Sequence, residues 1–170
     1  MRNWHGPWEG QGVNPLTKAK GAVTPIAMQQ ASELAECRSC LCLASRSAAR
    51  GITAVYDRRL RPHGLRATQF TILTMLMLRG ATPVGALAKS LGMDRTTLTR
   101  NAALLAAKGW IASAQEGGDA RARILSVTSA GQALMGQAFP AWREAQESVA
   151  NAFGPTGVAA LRRLAGTRMP

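Results

Sequence analysis

Apolar residues recur at intervals of three and four along the first half of the chain, the spacing of one helix face. Between residues 32 and 61 this stripe predicts a single helix, and its members are Cys37, Leu41, Ala44, Ala48, Ile52 and Val55. A shorter and more uniformly apolar segment follows, ATQFTILTMLMLRG, which predicts a buried helix that ends at Gly80. Residues 1–31 keep no period and mix Gly, Pro, Asn and Gln, so we expect a flexible N-terminal arm there.

The central segment predicts two short helices joined by a tight turn, and it reads TPVGALAKSLGMDRTTLTRNAALLAAKGW. Thr82 is expected to cap the first helix, with Pro83 at the first helical position. Gly92 makes the turn, and Asp94 or its neighbour begins the second helix. The residues expected on the buried face of that second helix are Leu98, Ala102 and Leu105. Two short helices around a glycine-bearing turn are typical of a helix-turn-helix.

The period changes to two after this segment. Residues 111–115 and 123–127 are β-prone, and EGGDAR between them has turn chemistry, so we predict a β-hairpin, or wing. Thr128 or Ser129 should then cap a long helix, and Pro140 should kink that helix near Phe139. The segment GPTGVAALRRLAG predicts a short last helix. The expected fold class is mainly α with a small β-hairpin wing, a winged helix-turn-helix.

Charge narrows the function. The chain carries 21 Lys and Arg against 9 Asp and Glu, a net charge of +12, which favours a polyanionic partner such as nucleic acid. The N-terminus has no continuous apolar stretch of the kind a secretory signal needs, and no apolar run is long enough for a membrane span, so we expect a cytoplasmic protein.

An enzyme is not expected. The chain has two histidines, His5 and His63, and it lacks a Gly-x-Ser-x-Gly motif, a phosphate loop and paired carboxylates. Nothing in it indicates a cofactor. The alternative to a DNA-binding regulator is a basic architectural DNA- or RNA-binding protein without an effector response. One tyrosine and three phenylalanines give little of the aromatic stacking surface that RNA-binding modules use.

Three segments, in this order and spacing, resemble the MarR family of winged helix-turn-helix repressors: YDRRLRPHGLRATQFTIL, LAKSLGMDRTTLTRNAALLAAKGWI and DARARILSVTSAGQALM. The resemblance covers residues from about 37 to 165. It implies one domain over residues 32–170, with dimerisation helices at about 32–61 and 128–166 and a winged helix-turn-helix at about 67–127. It also implies a homodimeric repressor that binds a pseudo-palindromic operator in duplex DNA and is released by a small-molecule or peroxide effector.

The sequence MDRTTLTR places five polar side chains on the outward, early turns of the second helix: Arg95, Thr96, Thr97, Thr99 and Arg100. Arginine can form a bidentate contact with guanine, and threonine can contact thymine. The alternative is an ordinary solvated helix start. We expect these residues to contact bases, and we expect Lys89 to contact phosphate.

The wing sequence GGDARAR resembles the Asp-x-Arg wing of the family. The resemblance implies that Asp119 orients Arg121 and that Arg121 enters the minor groove. Arg123 is expected at a phosphate. The alternative is a surface ion pair that contributes almost nothing to stability.

All three cysteines, Cys37, Cys40 and Cys42, lie in CRSCLC. A metal site is not favoured, because no histidine lies nearby to complete a set of four ligands. The segment LCLASRSAARGITAVY resembles the organic-hydroperoxide-sensing branch of the family. This resemblance implies that Cys42 is the peroxide-reactive thiol and Tyr56 its hydrogen-bond partner, with the other two cysteines as candidate resolving thiols.

The sequence departs from that branch where Arg46 and Ala67 replace tyrosines, although Arg46 would favour a thiolate at Cys42. The alternative is that all three cysteines are small apolar residues in a dimer interface. If the signal is instead a small molecule, the family pocket between the dimerisation helices and the DNA-binding region is implied. Its candidate residues are Arg46, Arg50, Tyr56 and His63, a set that suits an organic acid or an acyl thioester.

Overall fold

The computed structural model describes residues 33–116 and 119–166, with side chains left out at 116 and 119–122. The arm expected at residues 1–31 lies outside the described residues. The chain divides into two compact units, Met1–Ser45 and Arg46–Pro170. None of the described helices is long and apolar enough to cross a membrane.

The prediction of one continuous helix from residue 32 was wrong, because the helix is interrupted at residues 37–40. Residues 33–36 are helical and Cys37–Ser39 form a 3-10 turn, but Cys40 has extended backbone angles, φ −60° and ψ 116°. Helix α1 therefore begins only at Leu41 and runs to Leu60. The Ser39 hydroxyl donates to the carbonyl of Glu36 at 2.7 Å, the kind of local hydrogen bond that competes with helix.

The second unit contains the core. After a 3-10 turn at Arg61–His63, helix α2 spans Ala67–Arg79 and buries residues along much of its surface, which confirms the predicted buried helix. Eight leucine and isoleucine side chains in this unit are almost completely buried: Leu60, Leu65, Ile72, Leu73, Leu76, Leu87, Leu98 and Leu105. The core is thus built mainly by α2 and the two helices that follow it.

The helix-turn-helix is confirmed, with one change at its start. Strand β1 is Thr82–Pro83, helix α3 is Val84–Leu91, and helix α4 is Arg95–Ala107. Thr82 does not cap α3, because its hydroxyl donates to the carbonyl of Gly80 at 2.9 Å and its backbone pairs with Leu125. The N-cap is Pro83, one residue later than expected.

The predicted hairpin is also present. Strands β2, Ile111–Glu116, and β3, Asp119–Val127, are antiparallel, and β1 adds to β3 to give a sheet with the order β1-β3-β2. The register pairs residue 111 with 127 and residue 115 with 123, with an irregularity next to residue 116. The sheet fixes the hairpin to the first residues of the helix-turn-helix.

Helix α5 spans Ser129–Gly166. Its backbone keeps helical angles through Pro140, and Gly154, with φ 66° and ψ 170°, separates two helical parts instead. The helix is therefore not interrupted near Phe139, and its interruption lies at Gly154. Packing explains the difference: Ala138 is fully buried and the Phe139 ring stacks on Trp142, whereas Gly154 precedes Pro155 and tolerates a positive φ.

Candidate nucleic-acid interface

The start of helix α4 is fixed by a side-chain cap. Asp94 has extended backbone angles, and its Oδ1 accepts a hydrogen bond of 2.7 Å from the backbone N–H of Thr97. Hydrogen bonds from the side chain and the backbone of Thr97 hold the pKa of Asp94 below its ordinary value. The prediction that α4 begins at Asp94 or its neighbour is confirmed.

Helix α4 has one buried and one exposed side. The buried residues are Leu98, Ala102 and Leu105, as the sequence predicts. All five residues expected to contact bases are exposed: Arg95, Thr96, Thr97, Thr99 and Arg100. The exposed start of α4 is therefore available to a large partner, while the opposite side holds the helix to the core.

Two hydrogen bonds organise this exposed surface. The Thr99 hydroxyl donates to the carbonyl of Arg95 at 2.7 Å, which leaves its methyl group and oxygen lone pairs to face a partner. The Asn101 side-chain amide donates to the carbonyl of Thr97 at 2.9 Å. The sequence analysis did not predict that Asn101 contributes to this surface, because its hydrogen bond to Thr97 is visible only in the structure.

A groove of about 540 Å³ lies between α4 and the β-sheet. Arg95 and Thr99 line it from α4, while Ser113 and Arg123 line it from the hairpin. The two arginines thus border the same groove, although the sequence assigned them separate tasks. Guanidinium groups placed in this way can hold an anionic group such as a phosphate.

The remaining expected DNA contacts are placed less fully. Lys89 is exposed in the last turn of α3. Asp119 and Arg121 lie in β3 with their side chains outside the described residues, and Asp119 lies opposite Glu116 in the strand register.

A second cavity, of about 260 Å³, lies among α1, α2 and α5. The residues that line it are Ile52, Thr53, Tyr56, Leu60, Ala67, Phe70, Thr71 and Trp142. The Tyr56 hydroxyl donates to Oε1 of Gln146, and burial raises the pKa of Tyr56. Of the four residues expected in an effector pocket, Tyr56 lines this cavity, whereas Arg46, Arg50 and His63 are not among its lining residues.

The three cysteines are exposed free thiols. Cys42 is the second residue of α1, and its carbonyl accepts a hydrogen bond of 3.0 Å from the Ser45 hydroxyl. Over residues 33–116 and 119–166, no group of three or more His, Cys, Asp and Glu side chains is arranged to hold a metal ion.

Comparison with known proteins places this geometry in a family. A MarR family model matches residues 63–122, a range that holds the helix-turn-helix and the first part of the hairpin. No match is found among curated proteins. The transcriptional regulator MosR of M. tuberculosis, solved in complex with DNA, is 36% identical, with 74% of this chain and 92% of that chain covered and a TM-score of 0.65.

Two further structures share the fold. A variant of E. coli MarR in complex with operator DNA is 22% identical, with 76% of this chain and 94% of that chain covered and a TM-score of 0.67. BpsR of Bordetella bronchiseptica, whose DNA binding is regulated by 6-hydroxynicotinic acid, is 23% identical, with 71% and 92% covered and a TM-score of 0.64. Taken with the exposed start of α4 and the adjoining hairpin, these matches show that the chain belongs to the MarR family of winged-helix transcription regulators and is a DNA-binding regulator, not an enzyme.

Proposed function

We propose that this protein is a homodimeric repressor that binds a pseudo-palindromic operator and is released by an effector. The observation that carries the proposal is the start of α4, where five consecutive or near-consecutive polar side chains are exposed beside a groove bordered by Arg123. A recognition helix uses its N-terminal residues to contact base edges in the major groove.

The contacts divide by chemistry. Arg95 and Arg100 are assigned to guanine, to which arginine can donate two hydrogen bonds, and the three threonines are candidates for contact with thymine methyl groups. Lys89 and Arg123 are assigned to phosphates, which position the protein without reading sequence. As the family resemblance implies, Asp119 would orient Arg121 into the minor groove.

Dimerisation is supported by the surfaces at both ends of the described chain. Helix α1 has 20 residues, of which only Leu60 is buried. In the last part of α5, Leu161 and Leu164 are 40% and 58% exposed. Apolar side chains grouped on a helix end are typical of an interface. We assign residues of about 32–61 and 128–166 to the dimer interface of one domain that spans residues 32–170.

A small molecule in the α1–α2–α5 cavity is the first candidate signal. The cavity is lined by aliphatic and aromatic side chains and by the hydroxyls of Thr53, Tyr56 and Thr71, and it has no lysine or arginine in its lining. This lining favours a compact, neutral aromatic compound over the organic acid that an arginine-lined pocket would suit. The cavity touches both α1 and α2, so a ligand there contacts a dimerisation helix and the core of the DNA-binding region together.

Oxidation of Cys42 is the second candidate signal, favoured by its exposure and its place in the first turn of α1. An organic hydroperoxide would oxidise the Cys42 thiol to a sulfenic acid and be reduced to the alcohol. Cys37 or Cys40 would then condense with the sulfenic acid to a disulfide, with release of water.

The DNA-binding proposal is tested by selecting bound sequences from a pool of random duplexes. We expect enrichment of a pseudo-palindrome whose half-sites lie roughly one helical turn apart, because each subunit places one α4 in the major groove. Absence of enrichment, or a motif without two-fold symmetry, would contradict the proposal.

Two variants distinguish the candidate signals, an oxidant at Cys42 and a small molecule in the cavity. Each variant is tested against both kinds of compound while bound to the selected operator. Cys42→Ser should still bind DNA and ignore cumene hydroperoxide, while it keeps any response to a panel of phenols and other neutral aromatics. Ala67→Leu narrows the cavity, so it should ignore the aromatics and keep any response to peroxide. A Cys42→Ser protein that releases DNA in peroxide like the parent removes the oxidant proposal, and unchanged aromatic responses in Ala67→Leu remove the cavity proposal.

A further inference from the structure

Helix α4 ends at Ala107, and the three residues after it, Lys108–Trp110, form its C-terminal cap. Gly109 has φ +71°, its N–H donates to the carbonyl of Ala106 at 2.8 Å, and the N–H of Trp110 donates to the carbonyl of Leu105 at 3.0 Å. These two bonds form a Schellman motif, which fixes the exit direction of the chain. The position of this segment is therefore coupled to the position of the C-terminal end of α4.

Lys108 joins the segment to the corner that follows α1. Its Nζ donates to the carbonyl of Gly64 at 2.8 Å and lies 4.5 Å from the centre of the Trp110 ring. Gly64, with φ +70°, ends the 3-10 turn directly after α1. A Cβ atom on Gly64 would lie 3.5 Å from both Nζ of Lys108 and Cη2 of Trp110, so these side chains pack directly on the corner.

The start of α5 holds the same segment from another direction. The N–H of Thr128 donates to the carbonyl of Trp110 at 3.1 Å, and the Thr128 hydroxyl donates to the carbonyl of Gly109 at 2.7 Å. A Cβ atom on Gly131 would lie 2.1 Å from the carbonyl oxygen of Trp110. The first turn of α5 is thus seated on the segment at a distance that only glycine permits.

We propose that Lys108 is a positioning residue that sets the separation of the two recognition helices and thereby the operator spacing that the dimer accepts. This inference rests on the proposed function, in which α1 and α5 form the dimer interface and α4 reads DNA. Both dimerisation helices adjoin the segment 108–110: the corner after α1 through Gly64, and the start of α5 through Thr128. A dimer can distinguish two half-site spacings only if each α4 is held firmly in place relative to the dimerisation helices.

The test compares the selected operator with the same operator lengthened by one base pair between its half-sites. The measured quantity is the ratio of the two dissociation constants, in which any general loss of electrostatic affinity cancels. Lys108→Met removes the donor and keeps an apolar stem over Trp110. It should lower the ratio by about three- to tenfold, as expected when a charged hydrogen bond near the surface is lost. Lys108→Arg keeps a donor and a cation over the ring and should retain the parent ratio.

Thr128→Val provides a second variant, since it conserves side-chain shape and removes both the bond that the hydroxyl donates to Gly109 and the bond that it accepts from the N–H of Gly131. It should lower the ratio in the same direction. Ratios equal to the parent's in both Lys108→Met and Thr128→Val overturn the inference, and so does a loss in Lys108→Arg as large as that in Lys108→Met. A parent protein that binds both operators equally instead contradicts the proposed dimeric reading of DNA.

Discussion

Helices α1 and α2 follow each other in the chain, but they bury very different parts of their surfaces. Helix α2 buries five of its 13 residues, and α1 buries one of 20. The core beneath α2 is completed by α3, α4 and the sheet within the same chain. Among the described residues, the apolar stripe of α1 is covered only in part: Ile52 and Val55 are half-buried, whereas Leu41 and Ala44 are exposed. The contrast teaches that α2 is fixed by the core of its own chain, and we propose that the exposed side of α1 is covered by a partner.

The largest expected effect is on the free energy of unfolding, when a leucine is truncated in the core beneath α2, α3 and α4. Leu105 of α4 is fully buried, so Leu105→Ala should lower the free energy of unfolding by about 2–5 kcal/mol. Urea denaturation followed by circular dichroism measures the change. The matched variant Leu104→Ala, at a position that is 51% exposed, should change it far less. Similar losses for the two leucines would break the comparison.

The next largest effect is expected where the first turn of α5 packs against the segment 108–110. Gly131→Ala forces a methyl group onto the carbonyl of Trp110 and should cost about 1–3 kcal/mol of unfolding free energy. Gly136→Ala in the same helix meets no atom within 4 Å and should be neutral or stabilising. Thermal melting of the pair decides, and equal melting temperatures would mean that α5 is not seated on the segment after α4.

Substitutions on the exposed face of α4 should change the sequence specificity of DNA binding and leave the stability of the fold unchanged. Arg100→Ala should cost about 1–3 kcal/mol of binding at particular base pairs and leave the melting temperature unchanged. Lys89→Ala should weaken all duplexes alike and reduce the slope of log affinity against log salt by about one unit. Fluorescence anisotropy over a salt series measures both. Identical behaviour of the two variants would show that the reading surface lies elsewhere.

The smallest effect concerns the helix ends. Leu164→Asp places a charge on an apolar surface that is 58% exposed in the single chain, so the monomer should stay folded. Its dimer should dissociate at roughly tenfold higher concentration, equivalent to about 1.4 kcal/mol. Sedimentation equilibrium measures this, with Ala159→Asp, which adds the same single negative charge at another exposed position of α5, as the control. An unchanged dimer constant would exclude this end of α5 from the interface.

Local signals predicted the helix-turn-helix and the hairpin well. Gly92 and Gly109 stop their helices in left-handed conformations, and Asp94 caps α4, because these features depend on neighbouring residues alone. The buried side of α4 followed from the spacing of its leucines. The exposed positions from Arg95 to Arg100 followed from the same periodicity.

Features that depend on packing or on distant partners were missed. The break at Cys40 has no glycine or proline to mark it, and the short strand at Thr82–Pro83 exists only because β3 lies beside it. At Pro140, where a kink was expected, the helix continues, and its interruption lies at Gly154. The lining of the α1–α2–α5 cavity was predictable only for Tyr56, since Phe70 and Trp142 reach it from helices far apart in sequence.

The central claim, that two copies of this chain read one operator, is tested most directly by the native mass of the complex on the selected duplex. With a chain of 18.0 kDa, the account predicts a species of two chains and one duplex, which is lost when the duplex sequence is scrambled. A species of one chain per duplex, or equal complex formation on the scrambled duplex, would contradict it.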